Sequence, residues 1–243
     1  MSKVYTDTVT STEASQDLIL GGSGDNVIVT AGATLKTNTI KDSGGNTLWT
    51  SDGSGTVSSL NSAMGPSNLV LLSTQTASNA ASVSFTSGID STYKLYIFKF
   101  YDVNPASDGA EFQWQVNAVG QSGFNETITS TYFLARHTES DSGTTFNYDP
   151  GNDQAQGTGY QYIAQGVGSE ADESAAGELF LFNPSSTTYV KYYYSTSVMT
   201  QSGTQNAHDF SGGYINTTAA IDEISFKFST GNLDAVIKMY GLG

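Results

Sequence analysis

From Asn68 onward, strand-length runs follow one another with no helix-length pattern between them, and this constrains the fold more than any other feature. Ala81, Val83 and Phe85 alternate with polar residues. Tyr93–Tyr101 is apolar on both faces apart from two lysines, which predicts a central strand. Phe112, Trp114, Val116 and Ala118 alternate with Gln113, Gln115 and Asn117, the pattern of a half-buried strand. Thr127–Ala135, Gly159–Ala164, Glu178–Phe182, Thr188–Ser195 and Tyr214–Asn216 read as further strands. Ile224, Phe226 and Phe228, a turn at Ser229–Asp234, then Ala235, Ile237 and Met239 predict a closing hairpin. About ten strands with turns at short spacing describe an all-β chain whose main body, 67–243, is an antiparallel, jelly-roll-like β-sandwich. Strands never alternate with long helices, which argues against an α/β fold.

The first quarter of the chain is built differently. Asp17–Gly55 repeats a short strand-like run followed by a Gly/Asp/Asn turn, with runs at Leu18–Leu20, Val27–Val29, Thr34–Leu35, Thr39–Ile40 and Leu48–Trp49. Strands this short cannot close a core from one copy. Association with other copies would bury them and pair their edges, so 17–55 reads as a short-stranded β stem that needs an oligomer. Its core candidates are Leu18, Leu20, Ile28, Leu35, Ile40, Leu48 and Trp49. Val57, Leu60 and Met64 extend them as an i, i+3, i+7 stripe, which predicts a short helix or linker over 56–66, ended by Gly65–Pro66. Residues 1–16 are polar and Thr/Ser-rich and read as a flexible docking tail.

Composition narrows the function. The chain carries 23 acidic residues against 9 Lys and Arg, a net charge of −14 with no basic patch, which argues against nucleic-acid binding through phosphates. There is no cysteine, so no disulfide and no thiol chemistry. The first twenty residues lack a continuous apolar segment of the secretory kind, and no run approaches the ~20 apolar residues of a membrane span. These features predict a protein made in a cytoplasm and not inserted in a membrane.

No catalytic constellation emerges. The two histidines, His137 after an apolar strand and His208 in a polar segment, read as surface residues, and no G-x-S-x-G elbow occurs. Asp149 and Asp153 are the only pair weighed for a glycosidase, and any Asp-rich loop would match as well. Gly21–Asn26 (GGSGDN) departs from the calcium nonapeptide, with Asp25 one place early and no tandem array, and reads as a turn. Asp149–Asp153 lacks the EF-hand spacing. No metal site and no cofactor are predicted. Two long loops, His137–Gly159 and Gly166–Gly177, are acidic, with eight carboxylates and no Lys or Arg between His137 and Glu178. Tyr148, Tyr160 and Tyr162 flank the first of them, and Tyr192–Tyr194 form a further run whose rings suit the core or the surface equally. With Asp149 and Asp153 the three flanking tyrosines form a candidate surface for sugars, whose C–H faces and hydroxyls suit aromatic rings beside short polar chains.

Three stretches carry a family likeness. TIKDSGGNTLWTSDGSGTVSSLNSA resembles stem segments of virion structural proteins from marine tailed bacteriophages, in particular phages of cyanobacteria. LLSTQTASNAASVSFTSGIDSTY is similar to the start of the β-domain in those proteins, and AVIKMYGL resembles their closing IKxYG motif. The likeness covers nearly the whole chain after residue ~17, judged against typical domain sizes. It implies a homotrimeric fibre, spike or capsid-decoration protein of the virion. In that reading the N-terminal segment docks on a capsid or tail protein, the stem trimerises, and the C-terminal domain faces outward toward host-surface glycans. It carries over no catalytic residue. A free carbohydrate-binding module and, behind it, a polysaccharide hydrolase are the competing expectations.

Overall fold

A computed structural model describes residues 37, 39–42, 44–51, 53–54, 57–60, 69–203 and 205–242. Two compact units divide the chain, 1–66 and 67–243. In the first, β1 (Thr39–Lys41), β2 (Thr47–Ser51) and β3 (Val57–Leu60) form an antiparallel sheet in chain order. Asp42 makes the β1–β2 turn, its Oδ1 accepting the N–H groups of Gly44 at 2.9 Å and Asn46 at 2.8 Å. The Asn46 side-chain amide, donating to Asp42 Oδ2 at 3.0 Å, and then these backbone bonds favour the ionised carboxylate and hold its pKa below the usual value. The expected helix over 56–66 is corrected at Val57–Leu60, which is a strand paired to β2. A helix of nine residues is marginal in water, whereas pairing with β2 satisfies the same backbone groups at once. Leu18, Leu20, Ile28, Leu35 and Met64 lie outside the described residues, as do the 1–16 tail and the GGSGDN turn.

The second unit comprises β4 (Val70–Ala80), β5 (Val83–Phe85), β6 (Leu95–Pro105), β7 (Ala110–Ala118), β8 (Ile128–Thr138), β9 (Thr144–Tyr148), β10 (Ala155–Gly157), β11 (Gln161–Val167), β12 (Ala175–Phe182), β13 (Lys191–Gln201), β14 (Gln205–Ile215), β15 (Ile221–Phe228) and β16 (Leu233–Leu242). Every pairing is antiparallel. Eight strands pair as a nest: β4 with β16, β5 with β15, β6 with β12 and β7 with β11. With the cross-pairs β16·β6 and β15·β7 this gives two stacked layers, β4-β16-β6-β12 and β5-β15-β7-β11, joined into one folded-over sheet through β13 by the pair Val167–Gln201 between β11 and β13. A long hairpin rolled up on itself has this connectivity, that of a jelly roll.

The remaining strands are insertions. β13, β14 and β8 continue the first sheet beyond β12, and β9 and β10 pair with β8 at its far edge. The core lies between the sheets. Phe98 and Phe100 of β6 meet Phe226 of β15 at ring centroids 5.5 and 5.3 Å apart, and Trp114 of β7 meets Tyr193 of β13 at 4.6 Å. All of these side chains are buried.

Several expectations are corrected. β15 and β16 are not a hairpin. β15 pairs in one sheet and β16 in the other, so Ser229–Asn232 is an arch over the end of the sandwich. It is tied by Ser229 N–H to the Glu111 carbonyl and Ala106 N–H to the Asn232 carbonyl. Both strands carry apolar residues on alternate positions, and such alternation reports which face is buried, not which strand is the neighbour. β7 is buried on both faces, because Gln115 is roofed by the carbonyls of Glu126, Thr158 and Gly159, all of which its amide reaches. The long loop His137–Gly159 contains β9 and β10, and His208–Asp209 lies within β14, not in a loop. The second unit has thirteen strands, and β4, eleven residues of mostly polar or small side chains, was not anticipated.

Candidate functional site

The residues expected to form one recognition surface occupy two separate places. Tyr148 ends β9, half exposed, and its phenol donates to Asp153 Oδ2. That bond, which only the neutral phenol can make, raises its pKa. Asp149 is spent on its own turn: Oδ1 accepts Gly151 N–H at 3.0 Å and Oδ2 accepts the Asn152 amide at 3.2 Å. The two carboxylates therefore serve loop geometry and a tyrosine. Tyr160 and Tyr162 lie at the four-stranded sheet. The Lys227 ammonium sits 4.4 Å over the Tyr160 ring. Tyr162 pairs with Gln113 on β7, and burial pushes its phenol upward. Among the described residues no three His, Asp or Glu side chains gather as metal ligands would.

In the stem, Ile40 stands opposite Trp49 and Trp49 opposite Leu60, so β1, β2 and β3 present one cross-strand row. Ile40 and Trp49 are only partly covered. Leu48, next to Trp49 on the same strand, belongs to the other face.

The most extensive feature is one that the sequence reading did not assemble. Strands β16, β6, β12, β13, β14 and β8 turn their second faces away from the core. Register places Tyr240, Ile97, Phe180, Tyr194 and Gly212 across one row, with Lys238, Lys99, Glu178, Thr196 and Phe210 in the next. The rings form neighbouring groups. Phe180 stacks on Tyr194 at 4.4 Å and Phe133 on Phe210 at 4.8 Å, while Tyr192 leans on Tyr214 at 6.2 Å. Tyr192 remains 59% exposed and Val198 45%. Burial also pushes the Tyr194 phenol upward.

Charged groups on this face are few, and two of them pair. Lys99 Nζ lies 2.7 Å from Glu178 Oε2, and that bond raises the lysine pKa. Thr196 Oγ1 and His208 Nε2 are 2.7 Å apart. An open depression of about 410 Å³ lies here, with Lys99, Tyr101, Glu178, Thr196, Val198 and His208 among its lining residues.

Below the inserted strands the contacts are polar. Asp209 of β14 is fully buried, and its Oδ2 accepts the Tyr132 phenol at 2.5 Å and Gln165 N–H at 2.8 Å. Ser130 donates to Gln161 at 2.6 Å, and Ser197 to the Ile163 carbonyl at 2.7 Å. Desolvation raises the Asp209 pKa against these bonds, and Oδ1 has no partner. This layer seats β13, β14 and β8 on β11. Neither surface could be found from the hydrophobic pattern alone. Tyr192 and Tyr194 fit either face of a strand, Phe180 looks like a core residue, and Asp209 looks like a surface one.

No protein-family model, no curated protein and no solved structure matches this chain.

Proposed function

We propose that this protein is a structural component of a bacteriophage particle, a homotrimer whose N-terminal segment docks on a capsid or tail protein and whose jelly roll faces outward. The observation that carries the oligomer is the stem sheet. Three strands of three to five residues present the row Ile40–Trp49–Leu60. Such a sheet is a single layer, and one layer has no core until a second covers it. Other copies of the chain supply that layer. The particle assignment rests on the sequence likeness of the stem and of the closing AVIKMYGL. Light scattering tests the oligomer: the expected mass is three times the 25.6 kDa chain, and a stable monomer at micromolar concentration overturns it. Electron microscopy of labelled particles tests the location. Decoration of the shell or of the tail supports the reading, and absence from purified particles ends it.

Glycan adhesion is the second reading. It is favoured by the half-exposed Tyr148 ring beside the polar Asp149–Asp153 turn. An array of bacterial surface sugars that stays blank removes it.

A further inference from the structure

We infer that the outer face of the extended sheet, spanning β4 through β8, is a contact surface for a second copy of this chain. This rests on the proposed oligomer and goes beyond it, because that reading needs only the stem. Size is the first argument. Seven strands at ~4.8 Å spacing and about seven residues at ~3.3 Å make a face of roughly 30 by 23 Å, or about 700 Å². A stable interface takes ~800 Å² from each partner. Most of the exposed large apolar side chains belong to this one face, including Leu71, Tyr101, Phe133, Phe182, Tyr194 and Val198. Isolated surface hydrophobics are ordinary, whereas a contiguous set of this extent marks an interaction site.

Charge selects the partner. The chain has 23 carboxylates against 9 Lys and Arg, so most encounters between two copies bring carboxylate toward carboxylate. From Val236 to Leu242, Leu95 to Tyr101, Ala176 to Phe182, Tyr192 to Val198, His208 to Tyr214 and Thr129 to Ala135, the outward positions hold Lys99, Lys238 and Glu178 as their only Lys, Arg, Asp or Glu. Glu178 is bound to Lys99. Lys238 has no carboxylate within ion-pair distance among the described residues, and its ammonium stands 5.4 Å over the Tyr101 ring. The face thus offers apolar area and one free cation to a partner with a large excess of acid. A second copy of this chain is such a partner.

The absence of cysteine makes the test direct, because a single introduced thiol reports its own burial. Val198→Cys and Tyr192→Cys lie on the face; Val119→Cys, at a position 54% exposed in the turn after β7, is the control. The full chain is reacted with a maleimide at concentrations where light scattering finds the oligomer and again after dilution to monomer. The expected result is labelling of both face thiols at least tenfold slower than the control in the oligomer, with the difference lost on dilution. Far-UV circular dichroism equal to the parent keeps each variant interpretable. An intact oligomer whose face thiols label as fast as the control overturns this inference and leaves the proposed trimer standing. A chain that stays monomeric at every concentration overturns both. Protection that appears only when bacterial polysaccharide is added assigns the face to a glycan and overturns the inference. Val198→Glu is the second variant: it sets a carboxylate in the middle of the face and is expected to weaken association at least tenfold, and no change counts against the face.

Discussion

Phe226 is the side chain on which the two sheets of the jelly roll converge. It is fully buried on β15. Its ring lies 5.5 and 5.3 Å from Phe98 and Phe100 of the facing sheet, and 6.4 and 6.0 Å from Phe85 and Phe112 of its own. Phe226→Ala empties the space that all four rings share. Truncating a buried phenylalanine costs ~3–5 kcal/mol, counting lost transfer energy and the cavity left behind. Four ring neighbours, each pair contributing ~0.5–1.5 kcal/mol beyond area burial, place this site at the upper end. With a urea m-value of about 2 kcal/mol/M, the unfolding midpoint falls by about 2 M. Trp114, 4.6 Å from Tyr193, reports this unit by fluorescence, and Trp49→Phe silences the tryptophan of the other unit. Phe146→Ala, at an exposed ring on β9, is the control and should stay within ~0.5 kcal/mol. A midpoint shift below ~0.5 M at unchanged m would refute the reasoning. It would mean that the sheets do not meet through this ring.

Three further outcomes are expected. Trp49→Ala removes the centre of the stem row and should cost ~3–5 kcal/mol per chain if partner copies cover it; an unchanged melting temperature and an unchanged oligomer mass would place Trp49 on the surface. Gly213→Ala sets a methyl against the backbone of the neighbouring strand β8, where it meets the Thr129 carbonyl oxygen and, at 2.7 Å, Ser130 Cα, so it should destabilise by ~1–3 kcal/mol, read as a lowered urea midpoint. The pKa of Asp209 is raised in the fold, so its contribution to stability is complete below the unfolded value of about 3.9 and is lost as pH rises through the folded pKa. Asp209→Asn, which cannot ionise, should therefore gain on the parent as pH is raised from 4 to 8, and a parallel pair of midpoint-against-pH curves would contradict it.

The sandwich was legible because its strands have to alternate or be apolar throughout. Tyr96, Phe98 and Phe100 sit inside β6 as the run Tyr93–Tyr101 implies, and the strand is central, between β16 and β12. Neighbours were not legible. Ile224–Phe228 and Ala235–Met239 are close in sequence and carry hairpin-like spacing, yet the arch sends them to different sheets. Pairing is decided by contacts of high sequence separation, such as β4 with β16, and a local pattern holds no record of those. Gln113, Gln115 and Asn117 show a second limit. Their polarity implies solvent, but all three are buried: the loops after β7 and β10 bring three carbonyls to the Gln115 amide, and Asn117 donates to Glu223 of β15.

The same reasoning explains why the aromatic face was not legible. Tyr148, Asp149 and Asp153 attract attention because charge and aromatic rings crowd together in sequence, and the fold spends them on a turn and a phenol–carboxylate bond. Tyr192, Tyr194, Phe180, Phe133 and Phe210 are spread over four strands and meet only through register. On three of these strands the core-facing neighbours are apolar or small as well: Tyr193 and Ser195 on β13, Leu179 and Leu181 on β12, Tyr132 and Leu134 on β8. A strand with large apolar residues on both faces reads as doubly buried. One layer for these strands is the jelly-roll core and its polar extension around Asp209. Among the described residues of this unit no second layer lies over their outer side. A strand pattern suited to burial on both faces, with one of them covered among the described residues, is what the proposed contact between copies would complete.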